Sequence, residues 1–107
     1  MIQIIDGKRY DTDKSSLVFS WSNGHYISDF RHREKNLYRT KSERWFFHHI
    51  GGPMSDMAVA CNDGLSGSSH IEPIGDADAF GFLQSRSDVA DARTAIEKYF
   101  ADQVEDA

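Results

Sequence analysis

The stretch Asn36-Leu37-Tyr38-Arg39-Thr40-Lys41-Ser42-Glu43-Arg44-Trp45-Phe46-Phe47-His48-His49 decides the fold class. Two runs rich in aromatic and apolar residues flank three polar ones. Aromatic and β-branched side chains suit a pleated, half-buried surface and pair well across strands, so an antiparallel hairpin is expected here. Gly51-Gly52-Pro53 ends it, because glycine frees the backbone and proline withdraws an N–H from any ladder.

Towards the N-terminus the same chemistry repeats. Ile2, Ile4 and Ile5 precede Asp6-Gly7, a favoured dipeptide for a two-residue hairpin turn, and Lys8, Arg9 and Tyr10 return as its second strand. After a polar linker over residues 11–16, Leu17, Phe19 and Trp21 alternate with Val18, Ser20 and Ser22, which predicts a strand burying the first three on one face. Asn23-Gly24 is a further turn signal, with a possible strand over residues 25–30.

Beyond Met54 the periodicity changes. Ser55 is placed to cap a short helix with Met57, Ala58, Val59 and Cys61 as its apolar positions, stopped by Asn62-Asp63-Gly64. Residues 65–69 form a Gly/Ser-rich loop, and residues 70–74, with Pro73, suit a short edge strand. Asp76 is expected to cap a helix through Ala79, Phe80 and Leu83. Ser87 or Asp88 would cap the last helix, in which Val89, Ala92, Ile96, Tyr99 or Phe100, and Gln103 or Val104 recur at steps of three and four. The expected class is α+β: an antiparallel β-sheet from the N-terminal two thirds, packed with two or three α-helices mainly from the C-terminal part.

A chain of 107 residues, 39% hydrophobic and 27% charged, has the size and composition of one globular domain spanning residues 1–107. No apolar run approaches the roughly 18 residues that span a bilayer, and the first ten residues lack a signal-peptide core. The lone Cys61 has no disulfide partner within the chain. A cytoplasmic monomer that touches no membrane is expected.

The net charge of −5 is unevenly spread. Residues 1–50 carry nine Lys/Arg against six acids, whereas residues 51–107 carry three against eleven. The second half therefore repels nucleic acid and attracts basic protein surfaces.

Chemistry-bearing residues are present without chemistry-bearing spacing. His48 and His49 are adjacent in a strand and point to opposite faces, so they do not chelate one ion, and His25, His32, Cys61 and His70 form no CxxC or HExxH pattern. Cys61 and Ser66 lack the surroundings of a nucleophile elbow or a protease cysteine, and neither Gly51-Gly52 nor Gly64-Leu65-Ser66-Gly67 ends as a phosphate loop does. No enzyme activity, cofactor or metal is expected; the alternative is a small metal-dependent or nucleic-acid-binding accessory protein. For the latter, Arg31, Arg33, Lys35, Arg39, Lys41 and Arg44, interleaved with Phe30, Tyr38 and Trp45, offer a basic aromatic face for single strands.

Several segments carry a resemblance: Asp6-Gly7-Lys8-Arg9-Tyr10-Asp11-Thr12, Ser22-Asn23-Gly24 with Ser28-Asp29-Phe30, Leu37-Tyr38-Arg39-Thr40-Lys41 with Arg44-Trp45-Phe46 and His48, and Gly51-Gly52-Pro53-Met54-Ser55. In these the chain resembles small proteins of phages and other mobile genetic elements, a group that includes anti-CRISPR inhibitors. The resemblance implies a protein that binds a Cas effector complex of a type I CRISPR–Cas system in the host cytoplasm. It would block target DNA by occupying the basic channel or PAM-reading surface, without itself touching nucleic acid. Asp76 and Asp78, which open the first C-terminal helix, and Asp88, Asp91, Asp102 and Glu105, which fall broadly opposite the apolar stripe of the last, are the expected contact residues.

Overall fold

Strand pairing follows the turn chemistry. In the computed structural model, which describes residues 1–24, 31–52, 59–61, 64–66 and 68–107, Asp6 and Gly7 take φ of 52° and 75°. These are the two left-handed positions that a two-residue hairpin turn requires. They join β1 (Ile2–Ile5) to β2 (Lys8–Asp11). At the second hairpin Glu43 adopts φ 67°, the Thr40 N–H donates to the Arg44 carbonyl at 2.8 Å, and the Arg44 N–H donates to Thr40 Oγ1 at 3.0 Å. This loop pairs β4 (Arg33–Arg39) with β5 (Trp45–Gly51). With β3 (Ser16–Ser22) and β8 (Ser68–Ile74) they make an antiparallel sheet of order β3-β4-β5-β8.

The pleat divides β4 and β5 between two cores. Leu37, Trp45 and Phe47 face α1 (Asp76–Ser85) and α2 (Ala90–Tyr99), where with Phe19 they meet Ala79, Leu83, Ala92, Ala95, Ile96 and Phe100. Phe46 and Ile71 face the other way and pack on Tyr10 of the β1–β2 hairpin. Three layers result: helices, sheet, hairpin. The α+β class expected from the pattern is observed, with antiparallel sheets in the N-terminal part and two helices in the C-terminal part.

Trp45 joins the sheet to the helices. Its indole N–H donates to Asp76 Oδ1 at 2.7 Å, while its ring lies against Tyr99 (centroids 5.3 Å, edge-on) and Phe100 (5.5 Å, stacked). The start of α1 and the end of α2 are thereby pinned to one residue that is 2% exposed.

Five expectations are corrected. Leu17 is exposed, because the β3–β4 register shifts between Leu17 and Phe19; the extra residue at this bulge turns Leu17 out of the core phase that Phe19 keeps. Val59 and Cys61, expected in a helix, form β6 (Val59–Cys61), paired with β7 (Gly64–Ser66) in place of part of the expected loop. A short apolar run is ambiguous between helix and strand by periodicity alone. Gly75, rather than Asp76, is the N-cap of α1, and its N–H donates to Asp78 Oδ2 at 3.3 Å. Val89, rather than Ser87 or Asp88, occupies the N-cap of α2, where it makes no side-chain cap. Val89 and Val104 are exposed rather than on the buried stripe. The possible strand over residues 25–30 and the first part of the helix expected after Ser55 lie outside the described residues. No helix among the described residues is long and apolar enough to cross a membrane.

The bulge makes a direct prediction. Phe19→Ala removes a buried ring and should cost about 3–5 kcal/mol in chemical denaturation. Leu17→Ser should stay within about 0.5 kcal/mol of the parent. Equal losses at both positions would contradict the observed register.

Candidate functional site

Charge is the first thing the helical layer presents. From Asp76 to the C-terminus the chain holds eight acids, Asp76, Asp78, Asp88, Asp91, Glu97, Asp102, Glu105 and Asp106, against Arg86, Arg93 and Lys98. All eight acids are exposed. The three cations are folded back onto the molecule: the Arg86 guanidinium lies 5.2 Å from the Trp21 ring centre, Arg93 donates to the Ser87 carbonyl at 2.7 Å, and Lys98 Nζ is 5.2 Å from the Tyr99 ring centre. No ion pair involves any of the eight acids among the described residues.

The six expected contact residues separate into groups. Asp76 and Asp78 belong to the fold, the first bonded to Trp45 and the second to the Gly75 N–H. Asp88 and Asp91 lie at the connection into α2, and Asp102 lies beyond its far end in a 3-10 turn, Ala101–Gln103, with Glu105 in the following tail. Ten residues of helix place these ends about 15 Å apart. Asp88, Asp91, Asp102 and Glu105 make no side-chain hydrogen bond among the described residues, and Glu97 and Asp106, which the sequence reasoning omitted, share that state. A plain count of acids along α2 and its tail would have found both.

The basic aromatic face is not assembled as a platform. Arg39 caps the rings of Trp45 and Tyr99 at 4.9 and 5.1 Å, and Lys35 sits 4.7 Å from the Phe47 ring centre. Tyr38 stacks on Phe46 at 5.2 Å on the opposite side of the sheet. Trp45 is in the core, and the aromatic faces that would stack with bases are engaged inside the protein. Arg31, Lys41 and Arg44 are exposed; Phe30 lies outside the described residues.

The histidines occupy both faces, as their positions in β5 predict. His49 lies with Phe47 on the helix side, where Arg33 Nη2 donates to His49 Nδ1 at 2.9 Å and His49 Nε2–H donates to Glu72 Oε1 at 2.9 Å. Arginine has no acceptor, so this chain holds His49 as the neutral tautomer protonated on Nε2. Burial lowers its affinity for a proton, and Arg33 adds to the effect against the opposing pull of Glu72. His70 stacks on it at 4.8 Å. On the other face His32 meets Glu34 at 2.9 Å, and Glu34 accepts from Asn36 at 3.1 Å. Among the described residues His48 Nε2 is buried without a hydrogen-bond partner, and burial lowers its proton affinity too. A general base needs a free nitrogen near substrate; His49 has both nitrogens committed and is 6% exposed. No group of three His, Cys, Asp or Glu side chains suited to a metal occurs among the described residues. His25 lies outside them, and of Cys61 only the backbone is described.

No protein family, curated protein or solved structure matches the chain.

The histidines set a pH dependence. Both His48 and His49 hold protons less readily than an ordinary histidine near 6.5. Below that value the unfolded chain takes up protons that the folded chain refuses. Their contribution to stability is therefore full above the ordinary value and declines as pH falls through it. Urea midpoints should fall between neutral and mildly acid pH, and the fall should shrink in the double variant His48→Gln, His49→Gln. A midpoint insensitive to pH across this window would refute the assignment.

Proposed function

We propose that this protein is a non-catalytic binding module that docks through the exposed acids of its helical layer onto a Lys/Arg-rich protein surface, of the kind that otherwise holds nucleic acid. One observation carries this reading. The carboxylates of α2 and the tail are exposed and uncompensated, while every cation of the same layer is turned onto a ring or a carbonyl. Like charges left together cost the folded state some repulsion. They also produce a field that accelerates encounter with a basic partner.

Inhibition of a Cas effector complex is the specific form of this function. Such effectors hold their nucleic acid in positively charged channels, which an acidic layer would enter or cover. The resemblance to mobile-element proteins supports this form through elements of the sheet and its turns, whereas the docking surface lies on the helices. A nucleic-acid module is less well supported, since Trp45, Tyr38 and the heads of Lys35 and Arg39 are occupied within the fold.

Asp88, Asp102 and Glu105 are the residues to reverse, because they carry the charge without bonding the fold. Tagged protein passed over lysate of a bacterium expressing a type I effector should retain Cas subunits, less strongly as salt rises. The triple Lys variant should lose at least about tenfold in affinity while its thermal midpoint is unchanged. Retention of the same partners by the triple variant would overturn the electrostatic docking. Failure to retain any Cas subunit would overturn the Cas assignment.

A further inference from the structure

The two edges of the four-stranded sheet are treated differently. On β8, Pro73 has no N–H to offer, and the Ile71 N–H, which lies outside the β5 ladder, donates to Gln3 Oε1 of the hairpin at 2.9 Å. Among the described residues β3 has no such cover: it pairs only with β4, and no residue from Leu17 to Trp21 makes any backbone hydrogen bond beyond that ladder. Edge amides and carbonyls left this way are a template for another strand.

Beside this edge runs α2, and between them lies an open groove of about 380 Å³. Its walls are Leu17, Val18 and Ser20 from β3, and Asp91, Thr94 and Lys98 from α2, over a floor that includes the buried Phe19. Thr94 is exposed on the groove, whereas Ala95 is buried in the core with Phe19, where α2 packs on the sheet. Asp91 and Lys98 are seven positions apart and so lie on one side of α2, about 10 Å from each other. Past the bulge, Phe19 to Ser22 pairs in unbroken register with Leu37 to Glu34, giving a straight edge of four residues.

We propose that this groove binds an extended peptide segment, which adds to β3 as a fifth strand with alternate side chains directed between β3 and α2. The recognising chemistry is on the page. The β3 backbone supplies ladder hydrogen bonds; the wall at Thr94 takes a small or branched apolar side chain; Asp91 favours a cationic residue at one end. A second copy of this chain is disfavoured as occupant, since pairing through β3 would bring two net-negative helical layers together. The bulge at Val18 interrupts the edge and restricts it to short partners. This site goes beyond the acidic docking surface and is separable from it, because Thr94 carries no charge.

The test is to pan a random peptide library displayed on phage against the full chain, with Thr94→Trp as counter-target to fill the groove. Enriched peptides should bind the Trp variant at least about tenfold more weakly. They should shift the amide resonances of residues 17–22, and lose binding when alternate backbone amides are N-methylated. Asp91→Lys, a surface change, should switch the preferred charge at one end from cationic to anionic. Absence of enrichment overturns the proposal, as do peptides that ignore Thr94→Trp. So does a concentration-dependent shift of residues 17–22 without peptide, which would assign the edge to a second copy. The Trp variant keeps every acid and should still be retained on the basic partner, so loss of one function is read apart from loss of the other.

Discussion

A single indole holds the helices to the sheet. Trp45 is 2% exposed, and burying so large a ring with an unmet N–H would cost about 1–3 kcal/mol for the orphaned donor alone. Asp76 meets it from the first turn of α1, and Tyr99 and Phe100 close over it from the end of α2. Phe80 then stacks on Phe100 at 4.9 Å, locking the two helices to each other. The direction in which the helical layer turns its polar face, and therefore where its acids point, depends on this joint.

Asp76 thus has two assignments, of which the structure favours one. It is an acid near a helix N-terminus, exposed and so available to a partner, but its oxygen is committed to the core. The acids free to serve a partner lie further on, at the connection between the helices and along α2 and the tail. Arg93 and Glu97 stand four apart in α2, a spacing at which opposite charges contribute a few tenths of a kcal/mol per pair, yet they form no ion pair among the described residues. Arg93 donates instead to the Ser87 carbonyl, and Arg86 and Lys98 cover rings. The β3 edge fits the same logic of a surface left unfinished: the Gln3 side chain of the hairpin meets β8, and among the described residues no backbone hydrogen bond covers β3 from Leu17 to Trp21.

Much of the fold was legible because its signals are local. Asp6-Gly7 and the aromatic runs around Lys41-Ser42-Glu43 specify hairpins within a dozen residues, and the four-residue spacing of Ala92, Ile96 and Phe100 specifies a buried helix face. Leu17 was misplaced because a bulge changes phase without changing composition. Val59 to Cys61 was misplaced because a short apolar run fits helix and strand alike. The acid count of the second half was visible in the sequence; its division was not, since the contact that removes Asp76 from the docking set spans 31 positions. The Arg33–His49–Glu72 chain was hidden for the same reason, as it joins three strands that only the sheet brings side by side.

The most direct measurement of the central claim is a gel-shift titration of a purified type I effector complex on its target duplex, with this protein added before the DNA. If the acidic layer occupies the basic nucleic-acid surface, DNA binding falls in proportion to added protein, and protein added after the DNA has bound is far less effective. Undiminished DNA binding at saturating protein, or equal effect in either order of addition, would contradict it.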